Sequence, residues 1–244
     1  MQTSESPTDD PHIKMHRLIR DGVRNIIAGQ LDSVTTPRDL DMLLAQTLEF
    51  ITSVAADIGR KDGSDQAVAC AAGCSMCCYN FEVHVSPLEA IRLADHILHS
   101  LPPDVRDDII ATIERIADQK EQADDEGFPL YPCPLLNTDN GRCRVYGKRP
   151  LVCRAHNSID IKACEARHAS GHEQGNTVLG SATHRLTGQA TLAGLRAALL
   201  DRVGDDLVID LTHGIALLIR DPGLMQRALS DPMVLASAEV KRQD

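Results

Sequence analysis

All eight cysteines of this 244-residue chain lie between Cys70 and Cys164, and none lies outside that stretch. The first group is compact and reads Cys70-Ala-Ala-Gly-Cys74-Ser-Met-Cys77-Cys78. The second is open, with Cys133, Cys143, Cys153 and Cys164. Thiolate is a soft ligand that selects zinc, copper(I) and iron–sulfur clusters over hard cations. A Cys-x2-Cys pair lets two sulfurs meet one metal around a tight turn, and Gly73 leaves the backbone free to make that turn. Neighbouring side chains point in different directions on a helix or a strand, so Cys77 and Cys78 are not expected to share one tetrahedral zinc easily. Eight sulfurs also exceed the four that a single zinc needs. The arrangement therefore points to an iron–sulfur cluster, or to two metals, ahead of one structural zinc.

Around this stretch the chain reads as helices. It has three Phe, three Tyr and no Trp, so its core must come from Leu, Ile, Val and Ala, which suits helix packing. His12 to Ile27 carries apolar residues at helical spacing. Thr36 and Pro37 open a second helix, with Leu40, Leu43, Leu44, Leu48, Ile51, Val54 and Ile58 on one stripe and a stop around Gly63. Phe81 to Val85 alternates briefly, and Ser86-Pro87-Leu88-Glu89 is a capping-box pattern that opens a helix through His99. Pro102-Pro103 ends it, and Val105, Ile109, Ile113 and Ile116 mark the next, which runs into the acidic loop 124–126. Gly127 to Pro150 holds four prolines and an Asn140-Gly141 turn, so it predicts loop with a short hairpin. Helices are expected again at Ile161–His172, Ser181–Leu200, Leu207–Arg220 and Pro222–Val240. The fold class is mainly α: a helical domain with an irregular, proline-rich cysteine-cluster insert. Its parts are a disordered tail (1–11), N-terminal helices (12–66), a metal-binding domain (67–170) and C-terminal helices on the same core (171–244).

The formal charge of −10 argues against non-specific nucleic-acid binding, which needs a basic face. The longest apolar run, Leu207 to Ile219, is too short to span a bilayer and carries Asp210 and His213. Met1 to Pro11 is polar, without the apolar stretch of a signal peptide. The expectation is a cytoplasmic protein without nucleic-acid or membrane partners, in a compartment where disulfides are unfavourable.

Two other readings of the cysteines carry less weight. On one helix, Cys70, Cys74, Cys77 and Cys78 would share a face as small buried hydrophobes, but Gly73 and the clustering of all eight thiols argue against a core stripe. Cys70-x3-Cys74-x2-Cys77 has the spacing by which radical S-adenosylmethionine enzymes hold a [4Fe–4S] cluster. Here Met76 replaces the usual aromatic, Cys78 is extra, and the downstream chain reads as helices and loop instead of a (β/α) barrel.

The residues do resemble the YkgJ-type cysteine-cluster family, also called CxxCxxCC, whose members are described as chelating zinc or iron. The resemblance runs from the first cysteine group through Ser86-Pro87-Leu88-Glu89-Ala90. It resumes at Cys133-Pro134-Leu135-Leu136, Gly141-Arg142-Cys143-Arg144-Val145-Tyr146, Arg149-Pro150-Leu151-Val152-Cys153-Arg154, Asn157-Ser158 and Cys164. Cys70-x3-Cys74 departs from the family's short name. The resemblance covers about residues 68–168 and implies a metal or cluster site at Cys70, Cys74, Cys77, Cys78, Cys133, Cys143, Cys153 and Cys164. A related cysteine domain occurs in flagellin lysine N-methylases, which raises methyl transfer as an alternative.

Arg142, Arg144, Lys148, Arg149 and Arg154 form a basic cluster that would offset the negative charge of a thiolate-held metal, with Arg149 and Arg154 the foremost candidates. Tyr79 and Tyr146 sit where they would shield the site, while His84 and His156 read as supporting or surface groups. No metalloprotease, phosphate-loop, hydrolase or dinucleotide signature is present, so no catalytic residue is assigned. The expected function is a metal-binding protein with a redox, sensing or metal-handling role. Its cofactor is iron–sulfur ahead of zinc, and the partner is the metal itself, with a protein partner left open. The alternatives are a metal-dependent modifying enzyme such as a protein methyltransferase, and an interaction module around structural zinc.

Overall fold

In the computed structural model the described residues are 10–62, 68–79, 82–122, 131–170, 178–221 and 223–239. The expected tail as far as residue 9, the stop at Gly63 and the acidic loop at 124–126 lie outside them. The fold is mainly α, and the largely irregular segments 68–79 and 131–150 carry six of the eight cysteines.

Helix α1 (Pro11–Leu31) starts where the Asp10 carboxylate accepts the His12 N–H, and it buries Ile19, Val23, Ile27 and Leu31. Helix α2 (Pro37–Asp62) begins at the Thr36-Pro37 signal, with the Asp39 carboxylate accepting the Thr36 N–H at 2.9 Å. Residues Pro37–Arg60 have the length and mean hydropathy of a membrane span, yet Leu40, Leu43, Leu44 and Ile51 lie in the common core. Helix α3 (Pro87–Ser100) opens with the expected capping box between Ser86 and Glu89, and α4 (Pro103–Gln122) follows the double proline.

Beyond the cysteine stretch, α7 (Ala182–Val203) is the central partner of α1. The two cross at Gly194, where an added Cβ would stand 2.5 Å from the Arg20 carbonyl oxygen, so only glycine permits this approach. A further helix, α8 (Leu211–Arg220), packs on α3 and α4. It starts later than the sequence predicts. Residues Ile209–Asp210 form strand β4, paired antiparallel with β1 (His84–Val85), and Asp210 then caps the helix through the His213 N–H.

The predicted helix Pro222–Val240 is corrected to two pieces among the described residues: α9 (Leu224–Ser230) and a 3-10 turn, Pro232–Ala238. Pro232 supplies no N–H, and the Asp231 carboxylate accepts the Met233 N–H at 3.0 Å, so a new turn begins there.

Candidate metal centre

The first cysteine group is built on two successive turns. Gly73, with φ +99°, lets the Cys74 N–H reach the Ala71 carbonyl at 3.0 Å. A 3-10 turn, Met76–Tyr79, follows, closed by the Cys78 N–H on the Ser75 carbonyl at 2.8 Å. Both Cys77 and Cys78 border one hollow.

Backbone contacts then join distant segments to these turns. The Cys133 N–H donates to the Cys78 carbonyl at 2.7 Å. Strands β2 (Leu136–Asn137) and β3 (Arg142–Cys143) form the expected hairpin, with Leu136 opposite Cys143. Gly141 holds φ +68° in its turn, and a Cβ there would stand 2.8 Å from the Gly73 carbonyl oxygen. The two glycine turns therefore touch, and that contact carries Cys143 towards Cys77.

Cys153 comes from α5 (Leu151–Ala155), a single short turn that the sequence reading did not mark as helix. Its orphan Leu151 N–H is accepted at 2.7 Å by the Glu89 carboxylate, whose other oxygen takes the Ser86 N–H at 3.1 Å. Glu89 is 5 % exposed, so one buried carboxylate closes the first turn of α3 and anchors the turn bearing Cys153. Against its other side, α5 docks on α7 at Gly188, where a Cβ would come within 2.3 Å of the Ala155 side chain. Lastly, α6 (Ile161–Ala169) carries Cys164 and packs on the Met76–Tyr79 turn, with the Tyr79 and His168 rings 5.0 Å apart.

The result is a hollow of about 80 Å³ bordered by seven cysteines: Cys70, Cys74, Cys77, Cys78, Cys133, Cys143 and Cys153. Cys164 is not on its border, but its charge acts on Cys74, as do those of Cys70 and Cys77. The thiols divide into an inner set (Cys77, Cys133, Cys143, Cys153), whose charges act on one another, and an outer one around Cys74. Cys70 is held separately, its Sγ accepting the Ser158 N–H at 3.2 Å. Among the described residues no three Cys, His, Asp or Glu side chains already converge at coordination distance. The fit to zinc or iron rests on the donor set: soft sulfur from four separate segments around one small hollow.

These thiols favour their protonated form. Burial pushes Cys133 and Cys153 up to about 12, with neighbouring cysteine charges adding to it. Cys77 is also raised, first by the neighbouring Cys78 thiol and then by burial. Cys77 keeps accessible surface because it faces the hollow, while surrounding protein still desolvates its thiolate. Cys143 is raised by burial, with Arg149 and Arg154 opposing.

The basic cluster splits by role. Lys148 donates to both Asp41 oxygens at 2.6 and 2.7 Å, and Asp41 also accepts the Nε–H of Arg92, a residue 7 % exposed. Burial works against the Asp41 charge, but the Lys148 and Arg92 hydrogen bonds outweigh it and hold its carboxyl below the ordinary value. This network fastens the Tyr146–Lys148 turn to α2 and α3, so Lys148 serves the frame. Arg144 pairs with Asp108, and Arg142 is exposed. Arg149 lies over the Tyr146 ring at 3.8 Å and borders the hollow. Arg154 donates to the Arg149 carbonyl at 3.0 Å and the Gly147 carbonyl at 2.5 Å. Arg149 acts on Cys77, Cys143 and Cys153, and Arg154 on Cys143. His156 borders the hollow, with burial lowering its pKa and thus favouring the neutral ring. His84 instead sits 3.7 Å from Glu82 on the outer face of the small sheet.

Residues 69–173 match the model of the CxxCxxCC family, described as a "putative zinc- or iron-chelating domain". Neither the curated proteins nor the solved structures give a match to the chain.

Proposed function

We propose that the CxxCxxCC domain at residues 69–173 holds an iron–sulfur cluster, ahead of zinc, with Cys77, Cys133, Cys143 and Cys153 as its protein ligands. The match of residues 69–173 to a family described as chelating zinc or iron supports a metal-binding character. The observation that carries the reading is the meeting of seven thiols from distant segments on one hollow, which supplies the four cysteines that a cluster takes. When bound, a cluster supplies one-electron redox chemistry, and its potential is tuned by nearby charge and hydrogen bonding. The chain's own part is to position and neutralise. Glu89 fixes the Cys153 turn, the Gly141–Gly73 contact fixes Cys143, and Arg149 and Arg154 offset thiolate charge. A redox, sensing or metal-handling role in the cytoplasm fits this chemistry, since a reducing compartment keeps the thiols available.

Anaerobic purification with an absorption spectrum and metal analysis tests this. The expected protein is brown, with iron and acid-labile sulfide in equal amounts, and is bleached by dithionite. A colourless protein with stoichiometric zinc would overturn the cluster, and a folded protein that takes up neither metal would overturn the site. Single Cys→Ser changes in the inner four should each remove most of the metal, whereas Cys164→Ser should retain it.

A further inference from the structure

A second cavity, of about 290 Å³, opens between α2, α5 and α7, on the side of α5 away from the inner thiols. It is about twice the volume of an engineered apolar cavity that holds benzene. Most of its wall is apolar, with Leu48 and Ile51 from α2 on one side. On the other side Thr187 and Thr191 spend their hydroxyls on their own helix, donating to the Thr183 carbonyl at 2.8 Å and the Thr187 carbonyl at 2.7 Å. They therefore add little hydrogen-bonding demand to the interior. The charged residue on the wall is Arg154, with the exposed His184 at the rim.

Arg154 stands out because its hydrogen bonds leave part of its donor fork open. It is half-buried, and its hydrogen bonds go to two backbone carbonyls. Among the described residues no carboxylate pairs with it; the cations Arg149 and Arg92 work against its charge, and Cys153, when ionised, favours it. A guanidinium has five N–H donors in a rigid fork, so two carbonyls leave donors unfilled. A partly desolvated cation of this kind is completed best by a carboxylate, which meets the fork with two parallel hydrogen bonds. The apolar walls add a condition. They favour an anion with a compact hydrocarbon body over a small, strongly hydrated ion such as phosphate.

We propose that the cavity between α2, α5 and α7 binds a small monocarboxylic acid with an apolar body, its carboxylate on Arg154 and its hydrocarbon part against Leu48 and Ile51. The site is separate from the metal centre in its ligand, although Arg154 follows Cys153 directly in the chain.

Calorimetry on the metal-loaded protein tests this with benzoate, 3-phenylpropionate and hexanoate, each beside its neutral amide. At least one acid should bind at one per chain, and its amide at least tenfold more weakly. Arg154→Gln should reduce acid binding at least tenfold. Because that change lies beside Cys153, Ala55→Leu is the companion variant: it fills the cavity from α2 and should weaken the acid similarly with metal content unchanged. Absence of saturable binding by all three acids, equal binding of acid and amide, or full retention in Ala55→Leu would overturn the proposal.

Discussion

Where α1 lies on α7, contact is continuous and apolar: Ile19, Val23 and Ile27 of α1 are buried, as are Leu195, Ala198 and Leu199 of α7. The cysteine segment is assembled otherwise. Leaving aside α3 and α4, which run between its two cysteine groups, the described residues that carry the thiols form two-residue strands, tight turns and short helices, and single interactions set their shape: the Cys133–Cys78 backbone bond, the Gly141–Gly73 contact and the reach of Glu89 to Leu151. A broad apolar surface tolerates local loss because its energy is spread over many atoms. A site hung on a few polar contacts is more exposed to single changes, and its thiols repel one another once ionised.

The sharpest separation of the two regions lies in pH. Each ligating thiol must release a proton to the solvent, so metal binding weakens as pH falls, by about 1.4 kcal/mol per thiol and pH unit. Four such ligands give about 5–6 kcal/mol per pH unit, which chelator competition across neutral pH would measure. The metal-free protein should run the other way. Its unfolded thiols ionise near 8.5, while Cys133 and Cys153 keep their protons to about 12. Over that interval the unfolded chain binds fewer protons than the folded one, so stability, fully present below about 8.5, falls as pH rises. Parallel trends in the two forms would mean that these thiols are not the ligands.

Cutting the frame should cost next most. Leu199 is 1 % exposed on α7, and Leu199→Ala is expected to destabilise the fold by about 2–5 kcal/mol, read by chemical denaturation. Because the loss falls on the frame, metal affinity below the transition should stay as it was.

Glu89→Gln is the converse experiment. The amide replaces one of two accepting oxygens, so a buried N–H at Leu151 or Ser86 faces another donor, at about 1–3 kcal/mol. The direction of the metal effect separates two roles for this carboxylate. Its charge disfavours the Cys153 thiolate, so a purely electrostatic role predicts tighter metal in the variant. Its hold on Leu151 predicts weaker metal, and that is the expected result.

The same contrast governs what could be read from the sequence. Signals that act over a few residues were legible: Thr36-Pro37, the Ser86–Glu89 box and the Asn140-Gly141 turn each opened the element expected. Clustering of the cysteines showed that a site existed. The unread parts depend on partners far along the chain. Glu89 looked complete as a helix cap, and nothing near it foretold a second bond to Leu151, 62 residues on. Lys148 looked like a countercharge for thiolates until its partner proved to be Asp41, 107 residues away. Helix α5 is too short for any periodicity to show, and Asp231-Pro232 was a local break signal passed over within an apolar run.

The smallest effects should fall on the glycine turns, and a pair of variants isolates the site from the backbone. Gly141 (φ +68°) and Gly204 (φ +77°) both occupy the left-handed region, so alanine at either should cost about 1–2 kcal/mol. Gly204 ends α7 with no atom within 4 Å of an added Cβ, and Gly204→Ala should lower stability without touching the metal. Gly141→Ala adds a methyl 2.8 Å from the Gly73 carbonyl oxygen, so the hairpin must move off the first cysteine turn. Cys143 moves with it, and metal affinity should fall by more than in Gly204→Ala at matched loss of stability. Equal metal affinity in the two variants would show that the contact of the two turns is not what holds Cys143 in place.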